Sequence, residues 1–307
     1  MKYQSLRRNT SYLLIFCLTA IATAELTSKE KSGIEGTQQY TYRQVGDTSL
    51  SIYVTRPTEQ AGLTRAPAIV FFHGGGWTGG KPGQFTDHAR YFSARGIVCF
   101  QVEYRLLPKK KNTDPPFNCI QDARAAIRWV RNHAEELGVD PTRIASAGGS
   151  AGGHLAACLG SAVADQDDLF EDTQDDRQTN VRSNAMLLFN PVYDNGPNDG
   201  WGTKRVADQF QKYSPAQNID AKTPPAIVFL GDSDALIPVG VAKRFQQKMK
   251  DLKTESRLTI FPDMPHGFFN KGKYDNKPFH QTLKEADQFL IDLGWLTGEP
   301  QPELFPK

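Results

Sequence analysis

The sequence contains few cysteines and little net charge, and both shortages restrict what the protein can be. Four of its 307 residues are cysteines, and 36 lysines and arginines nearly balance 34 aspartates and glutamates. Cys17 lies in an N-terminal segment that we expect to be cleaved, which leaves Cys99, Cys119 and Cys158. An odd number excludes a disulfide framework; at most one bridge can form, and the sequence leaves its partners open. The near-neutral charge gives no indication of a nucleic-acid partner.

The N-terminal apolar run, at residues 12–21, is too short to cross a bilayer comfortably. Three basic residues precede it and the tripeptide Ala-Thr-Ala follows it at 22–24. A basic start, a short apolar core and an A-x-A site are typical of a secretory signal peptide. We therefore predict a signal peptide over 1–24, cleavage after Ala24 and a secreted or periplasmic protein without stable membrane insertion. A retained anchor is the alternative. Cleavage would change the formal net charge from +2 to −1.

The glycine-rich stretch SAGGSAGGHLAA at 146–157 lacks the features of a phosphate-binding loop. No Lys-Ser or Lys-Thr pair follows these glycines, as a P-loop requires. Their spacing is also wrong for the G-x-G-x-x-G fingerprint of a dinucleotide site. No histidine, cysteine or acidic cluster has metal-ligand spacing. We therefore predict no metal and no organic cofactor.

Short, β-rich apolar runs alternate with helical patterns along the chain. Two alternating strands are predicted within 40–57, followed by apolar strands at 68–72, 97–104, 143–149, 185–190, 226–230 and 256–261. Helical spacing is found at 122–137, 239–252 and 279–293. Continuous apolar strands indicate burial on both faces, as in a parallel sheet. The pattern predicts an α/β fold, with a doubly wound, mostly parallel sheet of about eight strands and helices on both faces.

The chain shows no internal repeat and no Pro- or Ser-rich linker, which favours one domain over 40–296. A polar leader (25–39) precedes this domain, and a tail (297–307) follows it. Within the domain, 192–224 is predicted to be a small cap insertion. The segment 165–177 carries seven acidic residues. It is predicted to be a solvated loop rather than a calcium loop, because EF-hand spacing and its central glycine are absent.

The pentapeptide Gly148-Gly149-Ser150-Ala151-Gly152 fits the G-x-S-x-G motif. A predicted strand enters it and a helical pattern leaves it, as in the nucleophile elbow that projects a serine hydroxyl above a sheet. The small flanking residues allow the tight turn to close. We predict that Ser150 is a nucleophile and that the Ala151 N–H contributes to an oxyanion hole. For the motif alone, a purely structural glycine turn is the alternative.

A second glycine motif, HGGGW at 73–77, directly follows the strand at 68–72. Such a segment after an early strand can supply the other half of an oxyanion hole, because bare backbone N–H groups must face a substrate oxygen. Two motifs in this order favour a hydrolase over a structural turn.

A serine nucleophile needs a base, and six histidines compete for that role. His266 follows the last predicted strand in a loop from which it could reach the serine. The others are interpreted as structural: His73 in the glycine loop, His154 packed on its helix, and His88, His133 and His280 on the surface of helices.

The base needs an orienting acid, and two candidates follow the strand at 226–230, Asp232 and Asp234. Catalytic groups gather at such carboxyl ends of strands in open α/β sheets. Asp234 is the preferred candidate. The chain order Ser150, Asp234, His266 is the order expected of the elbow architecture.

Together these segments resemble the α/β-hydrolase superfamily, and within it the hormone-sensitive-lipase-like and carbohydrate-esterase-like carboxylesterases. The resemblance covers about 40–295 and is carried by HGGGW (73–77), EYRLLP (103–108), VDPTRIASAGGSAGGHLA (139–156), GDSDALIP (231–238) and PHGF (265–268). It implies the α/β-hydrolase fold and a serine esterase. It also implies Ser150 as nucleophile, His266 as base, Asp234 rather than Asp232 as the acid, and Gly75, Gly76 and Ala151 as oxyanion donors.

The leader and the insertion are shorter than in the lipase-like relatives, which predicts an open site. Export and an open site favour a small-molecule or polysaccharide-linked ester, such as a short acyl, acetyl or feruloyl ester. Trp77 and Trp201 are candidate substrate-binding residues, with buried packing as the alternative for each. Arg105 is expected to pair with Asp122. The competing hypotheses are an aryl-formamidase-like amide hydrolase, a lipase, and a noncatalytic binding protein of the same fold.

Overall fold

The computed structural model describes residues 33–57, 65–109, 113–172 and 175–306. The predicted signal peptide and most of the polar leader therefore lie outside the described residues. Eight strands form one sheet: β1 (Gln38–Val45), β2 (Thr48–Thr55), β3 (Ala66–Phe72), β4 (Val98–Val102), β5 (Val139–Gly149), β6 (Ala185–Phe189), β7 (Ala226–Gly231) and β8 (Ser256–Phe261). The predicted hairpin, which turns at Gly46 between β1 and β2, is present.

The α-helices of the described residues differ greatly in length. Four have nine to sixteen residues and cover the sheet: α1 (Thr86–Ala94), α2 (Phe117–Asn132), α8 (Val239–Asp251) and α9 (Lys277–Asp292). A fifth, α4 (Ala151–Gly160), follows β5. The others are single turns: α3 (Ala134–Leu137), α5 (Asp167–Phe170), α6 (Thr203–Val206) and α7 (Phe210–Tyr213).

The strand order across the sheet is β1-β2-β4-β3-β5-β6-β7-β8. β2 pairs antiparallel with β1 and β4, and every other pairing is parallel. Residues of β3, β4, β6 and β7 are buried throughout, because helices cover both faces of the sheet. α2, α4 and α8 contribute to the core on one face, and α1 and α9 contribute to the core on the other. The predicted α/β fold with a mostly parallel sheet is confirmed.

The helix predicted over 122–137 begins earlier and is interrupted. α2 begins at Phe117, and His133, with φ −104° and ψ 17°, separates it from the single turn α3. Gly138 ends α3 in the left-handed conformation with φ 66°, as expected of a C-terminal glycine. The insertion at 192–224 contains only α6, α7 and 3₁₀ turns, so the predicted small cap contains no long helix.

The solvated loop predicted at 165–177 is correct only in part: several of its described acidic residues are exposed, but Asp167–Phe170 form the turn α5, and the Glu171 side chain is buried. Glu171 has a nearly fully buried side chain and contacts two buried guanidinium groups of α2, those of Arg124 and Arg128. Burial opposes ionisation of Glu171, but the hydrogen bonds from Arg128 and Arg124 outweigh burial and lower its pKa. Further pairs join Arg43 to Asp172 and Asp175, and Arg182 to Asp165. The arginines lie far away in sequence, so the acidic composition alone could not reveal them.

Arg105 pairs with Asp122, as predicted. The Arg105 Nη2 atom lies 2.7 Å from Asp122 Oδ1, and its Nε atom lies 2.8 Å from Asp122 Oδ2. This bidentate contact pairs two N–H groups of the planar guanidinium with the two carboxylate oxygens. Cys99, Cys119 and Cys158 are all buried and free, so none of the possible bridges forms between these three residues. Among the helices that the structure describes, none combines the length and apolarity that a membrane span requires.

Candidate active site

Ser150 lies in the sharp turn between β5 and α4, where the chain crosses from the sheet edge into a helix. Its backbone has φ 55° and ψ −119°, a conformation that non-glycine residues rarely adopt. A Cβ atom on Gly148 would lie 2.4 Å from the Gly152 carbonyl oxygen, and one on Gly152 would lie 2.0 Å from that of Phe72. The glycines are therefore required for close packing of the turn. The strand–turn–helix arrangement expected of G-x-S-x-G is present.

Three side chains from separate segments form a continuous hydrogen-bonded chain at this turn. The Ser150 hydroxyl lies 2.8 Å from His266 Nε2, and His266 Nδ1 donates to Asp234 Oδ2 at 2.7 Å. Because a carboxylate can only accept, the Nδ1 atom must carry a proton, and Nε2 is left to accept from the serine. The imidazole is thus in the tautomer and orientation needed to remove the serine proton.

Backbone N–H groups hold Asp234, the acid of this hydrogen-bonded series, in place. Asp234 has a fully buried side chain, and its Oδ1 atom accepts the N–H groups of Leu236 at 2.8 Å and Ile237 at 3.0 Å. Its other oxygen is left for His266. Asp232, the alternative acid, is exposed and accepts the Asp263 N–H at 2.7 Å. The structure therefore brings Asp234, and not Asp232, to the imidazole.

Two other histidines near the turn are buried and hydrogen-bonded to carbonyl groups. His154 donates through Nε2 to the Tyr213 carbonyl at 2.8 Å, and His73 donates through Nδ1 to that of Gly74 at 2.8 Å. Burial lowers the pKa of each imidazole to about 4. Both side chains are therefore neutral packing groups near pH 7, which agrees with their structural interpretation.

His88 is not a surface residue, so that prediction is wrong. Its side chain is buried, and its ring packs against Phe85 at 4.9 Å, Phe189 at 5.3 Å and Phe279 at 4.9 Å between centroids. Among the residues that the structure describes, neither ring nitrogen has a hydrogen-bond partner, and burial lowers the pKa of His88 to about 3. The sequence placed His88 correctly in a helical stretch but on the wrong face: His88 lies on the buried side of α1, whereas Arg90 and Ala94 are exposed.

The glycine loop after β3 lies beside Ser150 and presents unpaired backbone donors. Gly75 and Gly76 have φ of 122° and 61°, and a Cβ on Gly75 would lie 2.3 Å from the Gly79 carbonyl oxygen. Within the described part of the chain, no hydrogen bond uses the N–H of Gly75 or Gly76. Ala151 begins α4, so its N–H has no acceptor inside the helix. All three predicted oxyanion donors are thus free to bind a ligand oxygen.

A cavity of about 290 Å³ opens above the serine. The residues that line it are Gly74, Gly75, Gly76, Gln84, Ser150, Asn190, Trp201, Leu236, His266, Gly267, Phe269 and Asn270. Trp201 forms part of the wall, and its ring lies 5.4 Å from that of Trp77, which is fully buried and does not line the cavity. Of the two predicted tryptophans, the structure therefore places only Trp201 where a ligand could touch it.

Three polar lining residues were missed by sequence reasoning, namely Gln84, Asn190 and Asn270. Asn270 lies only two residues beyond the PHGF segment, so its proximity to His266 offered a signal. Gln84 and Asn190 stand in segments without a recognisable motif, and only the folded sheet brings them to the serine. No group of three or more histidine, cysteine or acidic residues in the described ranges is arranged to hold a metal ion.

The chain is similar to one known family and to several curated proteins. The model of the family described as BD-FAE matches residues 50–249. A probable carboxylic ester hydrolase of Mycobacterium tuberculosis, LipM, is 31% identical over 248 residues, which cover 74% of this chain and 54% of that protein. An acetylxylan esterase of Xylanibacter ruminicola is 28% identical, over 69% of this chain and 41% of its own. The chain thus spans about half the length of the curated relatives it matches.

Solved structures of one bacterial esterase match over nearly their whole length. Esterase 2 of Thermogutta terrifontis with propionate bound superimposes with a TM-score of 0.79 at 37% identity, covering 87% of this chain and 98% of that one. The same esterase phosphorylated by paraoxon has a TM-score of 0.78 and 38% identity, with 86% and 97% covered. These esterases therefore share the fold of the whole domain described above.

Proposed function

The chain belongs to the BD-FAE family, and we propose that it is a serine carboxylic ester hydrolase that uses Ser150, His266 and Asp234. The observation that carries this proposal is the hydrogen-bonded chain from Ser150 through His266 to the buried Asp234 carboxylate. A nucleophile, a base and an orienting acid are the three groups that serine hydrolysis requires. The esterases among its relatives and structural neighbours support the same reaction class.

In the first half of the proposed reaction, the Ser150 oxygen attacks the ester carbonyl carbon while His266 Nε2 accepts the hydroxyl proton. Asp234 holds the imidazole and stabilises the positive charge that it acquires. The carbonyl oxygen becomes negative and is bound by the N–H groups of Gly75, Gly76 and Ala151. Each donor of this kind typically contributes about 10²- to 10³-fold to turnover.

Collapse of this intermediate releases the alcohol, which takes its proton from His266 Nε2, and leaves the acyl group on Ser150. A water molecule then attacks the acyl carbonyl as His266 accepts the water proton. The second intermediate collapses with return of that proton to Ser150, and the carboxylic acid is released. The same donors stabilise both oxyanions, so both halves depend on the same geometry.

We propose a short acyl group as the preferred acid part of the ester. The cavity of about 290 Å³ lies at the small end of the range for ligand pockets, and the bulky rings of Trp201 and Phe269 restrict it. The similar esterase 2 of T. terrifontis has a solved structure with propionate bound. The acetylxylan esterase among the relatives supports acetyl groups on a polysaccharide as one natural form of such an ester.

We also propose export by cleavage after Ala24. The basic residues, apolar run and A-x-A site of 1–24 support it. The test is expression in a bacterial host followed by N-terminal sequencing of protein from the periplasm or medium. A mature chain that begins at Glu25 is expected, whereas an uncleaved chain in the membrane fraction would contradict export.

Replacement of the nucleophile tests the proposed reaction. We expect Ser150→Ala to lower kcat on p-nitrophenyl acetate by about 10⁶-fold, as in other serine hydrolases that lose this group. Ser49→Ala, at an exposed serine in the β1–β2 turn region, is the matched control and should leave kcat unchanged. Near-normal hydrolysis by Ser150→Ala would disprove the assignment.

A substrate panel separates ester from amide hydrolysis and tests the acyl preference. We expect kcat/KM to be highest for acetyl and propionyl p-nitrophenyl esters, to fall for octanoyl and longer chains, and to be measurable on acetylated xylan. A higher kcat/KM on N-formyl arylamines than on p-nitrophenyl acetate would favour an amidase instead.

A further inference from the structure

Three carboxamide side chains line the cavity without belonging to the proposed triad or oxyanion donors: Gln84, Asn190 and Asn270. They come from distant parts of the chain, yet hydrogen bonds join each of them to a segment that carries catalytic groups. A carboxamide can donate and accept at once, so it can bridge two backbone segments without bringing charge to the site.

Gln84 lies in the 3₁₀ turn Pro82–Phe85 and bridges two loops. Its Oε1 atom accepts the Gly74 N–H at 2.6 Å, and its Nε2 atom donates to Asn270 Oδ1 at 2.9 Å. The acceptor atom must face Gly74, so the amino group is the one that faces Asn270. Gln84 thus connects the glycine loop after β3 to the loop that carries His266.

The other end of the bridge holds the peptide groups next to His266. Asn270 Nδ2 donates to the Gly267 carbonyl at 2.8 Å, and the Gly267 N–H donates to Asn190 Oδ1 at 2.8 Å. Asn190 is fully buried at the end of β6, and its Nδ2 atom lies 3.4 Å from His266 Nε2. The loop that carries His266 is therefore hydrogen-bonded to Asn190 at the end of β6 and, through Asn270, to Gln84.

The glycine loop is closed by hydrogen bonds from the Thr78 and Gly79 N–H groups to the Gly75 carbonyl, but the Gly74 N–H at its start is bound by a side chain from outside the loop. Gly74, Gly75 and Gly76 have no side chains to pack, and glycine has the largest conformational freedom of any residue. Gly74 has little room for one: a Cβ there would lie 3.0 Å from the Gly149 carbonyl oxygen. Oxyanion donors act only when they are held in position before the reaction. Gln84 holds the first peptide N–H of this loop.

We infer that Gln84 and Asn270 are positioning residues. Together they hold the glycine loop in a fixed position relative to the loop that carries His266. This inference rests on the proposed esterase function. The bridge acts through the positions of Gly75, Gly76 and His266 rather than on the substrate. Loss of the bridge should therefore reduce the stabilisation of the transition state and leave substrate binding in the ground state nearly unchanged.

The test uses near-isosteric variants that remove the hydrogen bonds, Gln84→Met and Asn270→Leu, with the double variant. On p-nitrophenyl acetate, we expect each single variant to lower kcat about 10- to 100-fold, a fraction of the effect of losing a donor, with KM within about 3-fold. The double variant should lose no more than the worse single variant, because both substitutions break the same bridge. Thermal midpoints should fall by at most about 5 °C.

The matched control is Gln246→Met, which removes a glutamine hydrogen bond to the Ser256 carbonyl far from the cavity and should leave kcat unchanged. Three results would each overturn the proposed bridge. The single variants could keep the wild-type kcat, they could change only KM, or their losses of kcat could multiply in the double variant. Either single variant decides the question if the other does not fold. A wild-type protein with no esterase activity would overturn the proposed function and the bridge together, whereas an active wild type with unaffected variants would overturn the bridge alone.

Discussion

At the carboxyl ends of the parallel strands, the buried carboxylate of Asp234 contacts an imidazole, whereas the buried carboxylate of Glu171, beside α2, contacts two guanidinium groups. An arginine stays protonated at every accessible pH, so Glu171 stays in its ion pairs as long as its own carboxyl group is ionised. An imidazole gains and loses its proton near neutral pH. The same kind of buried carboxylate can therefore support a reaction in one region and stability in another, and its partner decides which.

The two regions also differ in backbone conformation. The cavity lining includes strained or side-chain-free positions, with Ser150 at φ 55° and Gly75 at φ 122°. The region around Glu171 is built from the long helix α2 and a segment tied to it by ion pairs. Strain is tolerated at sites where the surrounding structure holds it in place. Substitutions in the first region should change activity, and those in the second should change stability.

Of the variants that compare these two regions, Asp234→Asn should have the largest effect. The asparagine amide can present a donor to His266 Nδ1 and favour the wrong tautomer, so we expect kcat to fall by about 10⁴-fold. Steady-state kinetics on p-nitrophenyl acetate measure this loss. Asp232→Asn is the matched control two residues away and should retain nearly full activity. Comparable losses in the two variants would remove the distinction between these aspartates.

Next in size is the effect of Glu171→Gln on the free energy of unfolding. This variant removes the carboxylate that the buried guanidinium groups of Arg124 and Arg128 share. Arg124 keeps Asp167 and Arg128 keeps Asp175 as partners, so the loss should be about 2–3 kcal/mol. Urea denaturation measures the loss, and kcat per folded molecule should stay within about twofold of wild type. Asp168→Asn removes an exposed charge from the same segment and should change stability by less than about 0.5 kcal/mol. A large kcat loss in Glu171→Gln would contradict the separation of the two regions.

The smallest effect concerns His88, a buried imidazole whose ring nitrogens have no hydrogen-bond partner in the described part of the chain. Its folded pKa of about 3 lies below the ordinary value of 6.5, so below pH 6.5 the unfolded chain binds a proton that the folded chain does not. Stability therefore falls as the pH falls from 7 towards 3, and His88 accounts for about 2 kcal/mol of the loss between pH 7 and pH 5. His88→Leu should reduce that pH-dependent loss by about this amount in urea denaturation at the two pH values. An unchanged loss would show that His88 does not contribute.

The sequence predicted the sheet and the triad geometry well because their signals are local. The apolar runs of the buried parallel strands and the small residues around Ser150 are each readable over a few positions, and the relationship to the α/β-hydrolase carboxylesterases is confirmed. His266 could be ranked because it follows the last predicted strand, and Asp234 was separated from Asp232 by the family resemblance. Their catalytic roles stay proposals.

The features that were missed depend on contacts between distant segments. The ion pairs of Glu171 with α2 and the bridge from Gln84 to Asn270 join residues more than 40 positions apart. Composition made all of 165–177 look solvated, although Glu171 is buried, and His88 was interpreted as a surface residue of a helix. In both cases the environment comes from another element, which periodicity within one element cannot reveal.

Covalent labelling tests the central claim most directly. The protein should be treated with paraoxon, digested and analysed by mass spectrometry, with hydrolysis of p-nitrophenyl acetate followed in parallel. We predict one diethylphosphoryl group per molecule, attached to Ser150, with activity lost in proportion to labelling, and no label in Ser150→Ala. Attachment at another residue, or full activity after Ser150 is labelled, would contradict the account.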